Sequence, residues 1–351
     1  MATRTISIPA LLDIRRGALD DLPEVLHRTF DSSRAVVVSG LTASLSSARR
    51  VIDGLRALGG EVVAHEGVGG TTKASIEVEH LLVDTRPTLV VAVGGGRSID
   101  AAKLAAAHAG IPFVAVPTTL SHDGMASPVA SLAGEDGVRR SLASGMPAGV
   151  VIDLDVVGEA PQEFVRAGIG DLVSNLTAVA DWRLAAKGGE EPFDEFAASI
   201  ALQSALPALG VGWPLEGDDL QLVARGLVMS GLAMEVAGSS RPCSGAEHLI
   251  SHALDQILGT DAGAHGEQVA LGVLLVAEPS GVDLGRVRAL YERIGLPTSL
   301  EGCGLGRDTL SEAIRVAPST RPARTTVLDR LDLSDAGIDR MLDTAFGGAT
   351  A

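Results

Sequence analysis

The sequence has few cysteines and few aromatic residues. Two of its 351 residues are cysteines, Cys243 and Cys303, which are too few for a disulfide framework or a cysteine-rich zinc site. We therefore expect a protein of the reducing cytoplasm. Aromatic residues make up 3% of the chain and hydrophobic residues 46%, so alanine, valine and leucine must fill the core.

Basic residues are also scarce. The chain has 28 lysines and arginines against 44 aspartates and glutamates, which gives a formal net charge of −16. Nucleic acids and anionic membrane surfaces bind basic faces, so this balance argues against either partner. No apolar segment follows Arg4, so we expect no signal peptide. The stretch that comes closest to a membrane span, residues 196–215, contains Pro207 and is interpreted as a buried helix that ends near that proline.

Strands and helices alternate in the first 155 residues, and helices dominate the remainder. We predict strands at 35–39, 61–64, 88–93, 111–116 and 150–154, a hairpin over 129–142, and helices at 44–58, 71–84 and 98–108. Later helices are predicted at 170–186, 193–206, 219–237, 245–258, 266–278 and 284–294. Nearly continuous apolar strands between helices are typical of a parallel sheet covered on both faces. The pattern predicts an α/β domain over 1–158 and an all-α domain over 159–351, since the chain is too long for one core.

Three successive glycines, Gly94, Gly95 and Gly96, lie between a predicted strand and a predicted helix. Glycines let the backbone approach a ligand closely, and a helix start offers free N–H groups, so the turn suits a nucleotide pyrophosphate. The spacing is not the six-residue GxGxxG fingerprint of dinucleotide sites. A tight turn without a ligand is the alternative. Ser98 is placed to cap the helix.

Residues 117–131 leave the fourth predicted strand at its carboxyl end, where ligands bind in open α/β sheets. Their hydrogen-bonding side chains are Thr118, Thr119, Ser121, His122, Asp123 and Ser127. Neighbouring side chains point in opposite directions in an extended chain, so His122 and Asp123 do not face the same point. An ordinary polar loop would show the same composition.

Asp171, His248 and His265 form the clearest candidate metal site. Two imidazoles and a carboxylate leave a coordination position open, as a catalytic divalent metal requires. Asp171 follows Gly170 at the start of a predicted helix, and His265 opens another. His248 and His252 lie four residues apart on one helix face, so spacing alone equally allows these two to be the metal pair.

The chain resembles the sn-glycerol-1-phosphate dehydrogenases in five segments that occur in the same order. These are AVGGGRSIDAAKLAAAHAGIPFVAVPTTLSHDGMASPVAS, GDLVSNLTAVADWRLA, AGSSRPCSGAEHLISHALD, HGEQVALG and RPARTTVLDRL. The resemblance extends over residues 36–331. That family is related to glycerol dehydrogenase, the iron-containing alcohol dehydrogenases and 3-dehydroquinate synthase. The resemblance therefore implies a dehydroquinate synthase-like fold with a dinucleotide-binding N-terminal domain and a helical domain that binds metal and substrate.

The resemblance also implies site residues. Those that bind NAD or NADP are Gly94, Gly95, Gly96, Arg97, Ser98, Thr118, Thr119, Leu120, Ser121 and Ser127. Zinc is held by Asp171, His248 and His265, and substrate is bound by Asp123, Asp171 and His252, of which Asp171 and His252 are catalytic. Arg97 replaces the small or neutral residue common in relatives, and its charge would favour the 2′-phosphate of NADP or neutralise pyrophosphate.

The implied activity is zinc-dependent and NAD(P)-linked interconversion of dihydroxyacetone phosphate and sn-glycerol 1-phosphate, in phospholipid metabolism, by a homo-oligomer. Zinc would polarise the substrate oxygen, and the proton would move through water or His252. Arg241 is the first candidate for the substrate phosphate, with a structural ion pair as its alternative; Arg321 and Arg324 come next.

Three other functions are considered. The first is a dehydrogenase of another polyol or polyol phosphate. The second is a cyclase like 3-dehydroquinate synthase, which the single lysine of the second domain, Lys187, disfavours. The third is a nucleotide-binding module without metal, against which the intact set of three ligands argues.

Overall fold

The chain divides between Val165 and Arg166 into an α/β unit and a helical unit. The computed structural model describes residues 5–41, 43–215 and 217–347. The expected fold class is confirmed, because a parallel sheet organises the N-terminal region and helices form the C-terminal region.

Six parallel strands form the main sheet of the first unit, in the order β1-β8-β5-β4-β2-β3. The strands are β1 (Leu11–Arg15), β2 (Arg34–Ser39), β3 (Glu61–His65), β4 (Leu89–Gly94), β5 (Phe113–Pro117), β6 (Val129–Ala133), β7 (Arg139–Ala143) and β8 (Gly149–Asp153). Strands β6 and β7 form the predicted antiparallel hairpin. Every residue of β4, β5 and β8 is buried, which explains their unbroken runs of small and β-branched residues.

Helices connect the strands of this sheet. They are α1 (Leu22–Thr29), α2 (Ala43–Ala57), α3 (Thr72–Thr85), α4 (Gly96–Ala109) and α5 (Leu154–Gly158). Helix α4 is rich in alanine, and all of its residues from Ser98 to Ala106 are buried, so small side chains replace the missing aromatic residues in this core. Gly110, with φ +66°, ends α4 in the left-handed conformation that glycine adopts without strain.

Helices make up the regular structure of the second unit in the residues that the structure describes. They are α6 (Gln162–Val173, which starts before the unit boundary), α7 (Asn175–Lys187), α8 (Glu195–Ala205), α9 (Asp218–Ala237), α10 (Ala246–Leu258), α11 (His265–Val276), α12 (Leu284–Ile294), α13 (Leu300–Cys303), α14 (Arg307–Thr320) and α15 (Asp335–Phe346). Helix α8 ends at Ala205, close to Pro207 as expected. Among the described residues, only α9 is long and apolar enough to cross a membrane, and 61% of its most apolar window is buried inside the protein, as in a core helix.

The prediction of one helix over 170–186 is wrong, because the helix is interrupted at Ser174, between α6 and α7. Ser174 donates its hydroxyl hydrogen to the Asp171 carbonyl at 2.6 Å. Such local side-chain bonds compete with the regular helix ladder. Asp171 therefore lies in the last turn of α6 and not at the start of a helix.

Candidate active site

The triple-glycine turn joins β4 directly to α4. Gly95 occupies the N-cap position of α4, and no side chain caps this helix start. A β-carbon on Gly94 would lie 2.4 Å from Ser98 Oγ, and one on Gly96 would lie 1.9 Å from His122 Nε2, whereas one on Gly95 would meet nothing closer than 3.5 Å. A side chain on either outer glycine would thus displace Ser98 or His122, whereas one on the middle glycine would make only an ordinary van der Waals contact with Thr119. An uncapped helix start of this kind suits an anionic group.

Two side chains lie beside this turn, and one of them, Ser98, differs from its predicted role. Ser98 does not cap α4, because the helix begins two residues earlier and the Ser98 hydroxyl donates to the Gly95 carbonyl at 3.1 Å. His122 packs against Gly96 and accepts a hydrogen bond on Nδ1 from the backbone N–H of Gly124 at 3.0 Å. The imidazole therefore fixes the turn that Asp123 begins, Asp123–Ala126, against the glycines.

A buried lysine holds the segment after β5. Lys103 on α4 is 1% exposed, and its Nζ donates to the carbonyls of Gly124, Ser127 and Val129 at 2.5, 3.2 and 2.6 Å. The same Nζ lies 3.1 Å from Asp100 Oδ1, while Asp100 Oδ2 accepts from the backbone N–H of Ser131. Sequence reasoning missed this pair. Its signal is an Asp and a Lys three residues apart in an otherwise apolar helix.

Asp171, His248 and His265 come together although they lie on α6, α10 and α11. The Nε2 atoms of His248 and His265 lie 3.5 and 3.9 Å from Asp171 Oδ1, and the three ligand atoms lie within 4.8 Å of one another. Ligands around a tetrahedral zinc ion, with bonds of about 2.0–2.2 Å, stand only slightly closer. The donor set and its spacing fit zinc. His252 lies outside this group of three.

Glycines bring α6 and α11 into contact beside the ligands. A β-carbon on Gly170 would lie 2.6 Å from the Gly266 carbonyl oxygen, and one on Gly266 would lie 2.1 Å from the Ala167 carbonyl oxygen. Helices α6 and α11 could not approach each other this closely if a side chain stood at either position. Gly170 precedes Asp171 and Gly266 follows His265, so this contact sets the distance between the two ligands.

The Gly266→Ala variant is expected to lose about 2–3 kcal/mol of the free energy of unfolding, because the added methyl group meets backbone atoms. Both tryptophans, Trp182 and Trp213, lie in the second unit, so urea unfolding followed by tryptophan fluorescence reports on it. Gly306→Ala is the matched control, since its β-carbon would meet nothing closer than 4.0 Å. Equal stability of the two variants would contradict the steric argument.

The electrostatics differ between the two histidines of α10. Burial lowers the pKa of His248, but hydrogen bonds with Asp171 and Glu247 outweigh it and raise this pKa to about 9 in the metal-free protein. Burial and then the charge of Arg321 lower the pKa of His252 to about 2, so His252 is a neutral imidazole near neutral pH. Its Nε2 is buried without a hydrogen-bond partner among the residues the structure describes.

Arg241 forms a structural ion pair, which was the alternative to its predicted role in binding the substrate phosphate. The buried guanidinium donates from Nε to Glu191 Oε2 at 2.6 Å, from Nη2 to Glu191 Oε1, and from Nη1 to the Thr325 carbonyl at 2.9 Å. Arg324 donates to the Ser244 carbonyl and to Ser240 Oγ. Burial, and then the charges of Arg321 and Arg241, lower the pKa of Arg324 to about 10, which still leaves it cationic.

Comparison with known proteins identifies the family. Residues 13–161 match the family model described as iron-containing alcohol dehydrogenase. The chain is 36% identical over 336 residues to the glycerol-1-phosphate dehydrogenase [NAD(P)+] of Cenarchaeum symbiosum, covering 95% of this chain and 94% of that protein. It is 37% identical over 348 residues to the protein of the same name from Hyperthermus butylicus, covering 96% and 97%. The chain belongs to the glycerol-1-phosphate dehydrogenase family.

A solved structure supports the fold of this family. The probable glycerol dehydrogenase of Sinorhizobium meliloti 1021 superposes with a TM-score of 0.77 at 23% identity, covering 97% of each chain. The two relatives at 36% and 37% identity confirm the resemblance drawn from the five sequence segments. Within a glycerol-1-phosphate dehydrogenase fold, the grouped Asp171, His248 and His265 are the residues that suit a catalytic metal.

Proposed function

We propose that the protein oxidises the C2 hydroxyl of sn-glycerol 1-phosphate with NAD(P)⁺ and, in reverse, reduces dihydroxyacetone phosphate. The grouping of Asp171, His248 and His265 carries this proposal, in a chain whose relatives over 95% of its length are named for that activity. In the oxidation, hydride leaves C2 for the nicotinamide and the hydroxyl proton is released. Zinc, when bound, supplies Lewis acidity at the C2 oxygen.

The chain's own residues bind and orient the reactants. The start of α4 and the segment after β5 hold the dinucleotide through Gly94, Gly95, Gly96, Arg97, Ser98, Thr118, Thr119, Leu120, Ser121 and Ser127. Asp123 accepts hydrogen bonds from substrate hydroxyls, and Asp171 touches substrate as well as metal. His252 Nε2 orients the substrate oxygen as a neutral group. The proton leaves through water or His252.

Arg321 and Arg324 attract the substrate phosphate in this proposal. The hydrogen bonds of Arg241 go to Glu191 and Thr325, so Arg241 stays in its structural role. The charges of Arg321 and Arg324 both lower the pKa of His252, the residue proposed to bind substrate, and this supports their role at the phosphate. Burial strengthens such an interaction, since fewer water molecules screen it.

The remaining assignments follow from the same proposal. Residues 1–158 bind the dinucleotide and residues 159–351 bind metal and substrate. Among the described residues, neither Cys243 nor Cys303 forms a disulfide, which agrees with a cytoplasmic protein. The enzyme acts as a homo-oligomer on a small phosphorylated polyol, in phospholipid metabolism.

The decisive experiment measures NAD(P)H oxidation with dihydroxyacetone phosphate, followed by chiral analysis of the glycerol phosphate formed. We expect turnover that depends on zinc and a product that is the sn-1 enantiomer. The sn-3 enantiomer, or turnover only with unphosphorylated ketones, would contradict the proposed substrate. About one zinc ion per chain, by elemental analysis, separates the enzyme from a nucleotide-binding module.

Exchange of Arg97 for serine tests cofactor choice. Arg97 is exposed, and its side-chain stem lies against Gly70, where a β-carbon would come within 2.9 Å of Cγ. We expect the ratio of kcat/KM for NADPH to that for NADH to fall about fivefold, which is ~1 kcal/mol for an exposed charge on a phosphate. Arg140→Ser, on the β6–β7 hairpin, is the control. An unchanged ratio in Arg97→Ser would reject a role in 2′-phosphate binding.

A further inference from the structure

Both metal-site histidines have a polar partner behind the ring, but the two partners differ in charge. His248 Nδ1 lies 2.9 Å from the carboxylate oxygen Oε1 of Glu247, and His265 Nδ1 lies 3.2 Å from the hydroxyl of Ser251. In each ring, the opposite nitrogen, Nε2, faces Asp171. Such partners fix which nitrogen of a histidine is free to bind a metal.

Glu247 is completely buried and is held in place on both of its oxygens. Oε1 accepts the backbone N–H of Gly245 at 2.5 Å, and Oε2 accepts the Thr177 hydroxyl at 2.8 Å. A carboxylate only accepts hydrogen bonds, so His248 must donate from Nδ1, which leaves Nε2 as the nitrogen that can bind a metal. Helix α11 can pack closely against the backbone of Glu247 because residue 272 is a glycine. A β-carbon on Gly272 would lie 2.6 Å from the Glu247 backbone oxygen.

The hydrogen-bond chain behind His265 starts with two uncharged side chains, Ser251 and Gln268, and only its far end, Asp255, carries a charge. Gln268 Nε2 donates to Asp255 Oδ1 at 3.0 Å and to the Ala262 carbonyl at 2.8 Å, so Gln268 Oε1 points to Ser251 and accepts its hydroxyl hydrogen at 2.6 Å. The Ser251 hydroxyl has one hydrogen, so towards His265 it accepts. His265 is therefore also protonated on Nδ1, but its partner carries no charge.

We propose that Glu247 is a positioning residue of the metal site, a second carboxylate that acts on the cation through His248. Asp171 and Glu247 together supply two negative charges, which balance a divalent ion held otherwise by neutral imidazoles. A hydrogen-bonded carboxylate also makes the imidazole a stronger ligand. Ser251 orients His265 without this effect, so the two histidines are unequal ligands. The inference rests on the proposed zinc enzyme.

The test is the zinc affinity of Glu247→Gln, measured on the full chain by competition with a chromophoric chelator. Glutamine keeps the shape, still accepts from Gly245 and His248, and donates to the Thr177 oxygen, so only the charge is removed. We expect the dissociation constant for zinc to rise about 10–100-fold. Thr177→Val is the matched control, because it removes a hydrogen bond to the same carboxylate and keeps the charge; a change of about threefold or less is expected.

The possible outcomes separate the two proposals. A wild-type protein that takes up no zinc would overturn the proposed function and this inference together. A wild type that binds zinc, with Glu247→Gln binding it equally well, would overturn this inference alone. A lower melting temperature of metal-free Glu247→Gln with unchanged zinc affinity would mean a purely structural carboxylate and would equally overturn it.

If Glu247→Gln does not fold, a measurement on the wild-type protein tests the role of Glu247 instead. Nitrogen-15 NMR of the zinc-loaded protein with labelled histidine side chains distinguishes the two ring nitrogens. We expect His248 to be protonated on Nδ1 and metal-bound through Nε2, assigned by the loss of its signals in His248→Gln. Zinc on Nδ1 of His248 would overturn the role of Glu247.

Discussion

The Asp171→Asn variant is expected to lose about a thousandfold or more in kcat/KM, equal to ~4 kcal/mol of transition-state stabilisation. Asp171 Oδ1 is the atom that faces both histidine Nε2 atoms, at 3.5 and 3.9 Å. An amide oxygen is uncharged and a weaker ligand than a carboxylate, so the variant leaves the cation with two imidazoles and no anionic ligand. Zinc content and dihydroxyacetone phosphate reduction are the two measurements.

Asp308→Asn is the control for this variant, because it removes a carboxylate from the exposed first turn of α14. Its zinc content and turnover should equal those of the wild type. Near-normal turnover of Asp171→Asn after treatment with a chelator would reject Asp171 as a metal ligand. Normal zinc content without turnover would instead place its role at the substrate.

The Lys103→Met variant is expected to lose about 3–5 kcal/mol of the free energy of unfolding, the usual effect of removing one partner of a buried ion pair. Methionine fills a similar volume but leaves Asp100 as a buried charge and three carbonyls without their donor. Urea unfolding followed by far-ultraviolet circular dichroism measures the loss. Lys73→Met, at an exposed position of α3, is the control and should change stability by less than about 0.5 kcal/mol. A loss below about 1 kcal/mol in Lys103→Met would mean that the ammonium contributes little.

Sequence patterns predict those elements of the fold whose conformation is determined by residues close together in the chain. The apolar runs of β2, β4 and β5 are long enough to mark strands within one or two residues of their true ends. Strand β1, Leu11–Arg15, was missed because it is only partly buried, and it is defined by pairing with β8, far away in the sequence. No periodicity within five residues reveals such a partner.

The metal site shows the same limit. Helical spacing groups His248 with His252, whereas the fold groups His248 with His265 and Asp171 from two other helices. The residue types alone made these three a candidate set, but only the resemblance to a family decided between His265 and His252 in advance. Two glycines were a further sequence signal for the site, because Gly170 and Gly266 lie where α6 and α11 come into contact beside the ligands. The local sequence around Gly170 suggested that a helix starts there, with Asp171 in its first turn. In the structure Asp171 lies in the last turn of α6.

The three carbonyl bonds of Lys103 and the His122–Gly124 bond lie within the protein itself, so the segment after β5 reaches its final conformation during folding. A loop that ordered only around its ligand would pay a conformational entropy penalty at every association. In the proposed function this segment binds NAD(P), so that penalty would be met before the dinucleotide arrives, and the intrinsic affinity for NAD(P) would be correspondingly higher. Catalytic cycles can then exchange oxidised for reduced nucleotide without remaking the surface that receives it.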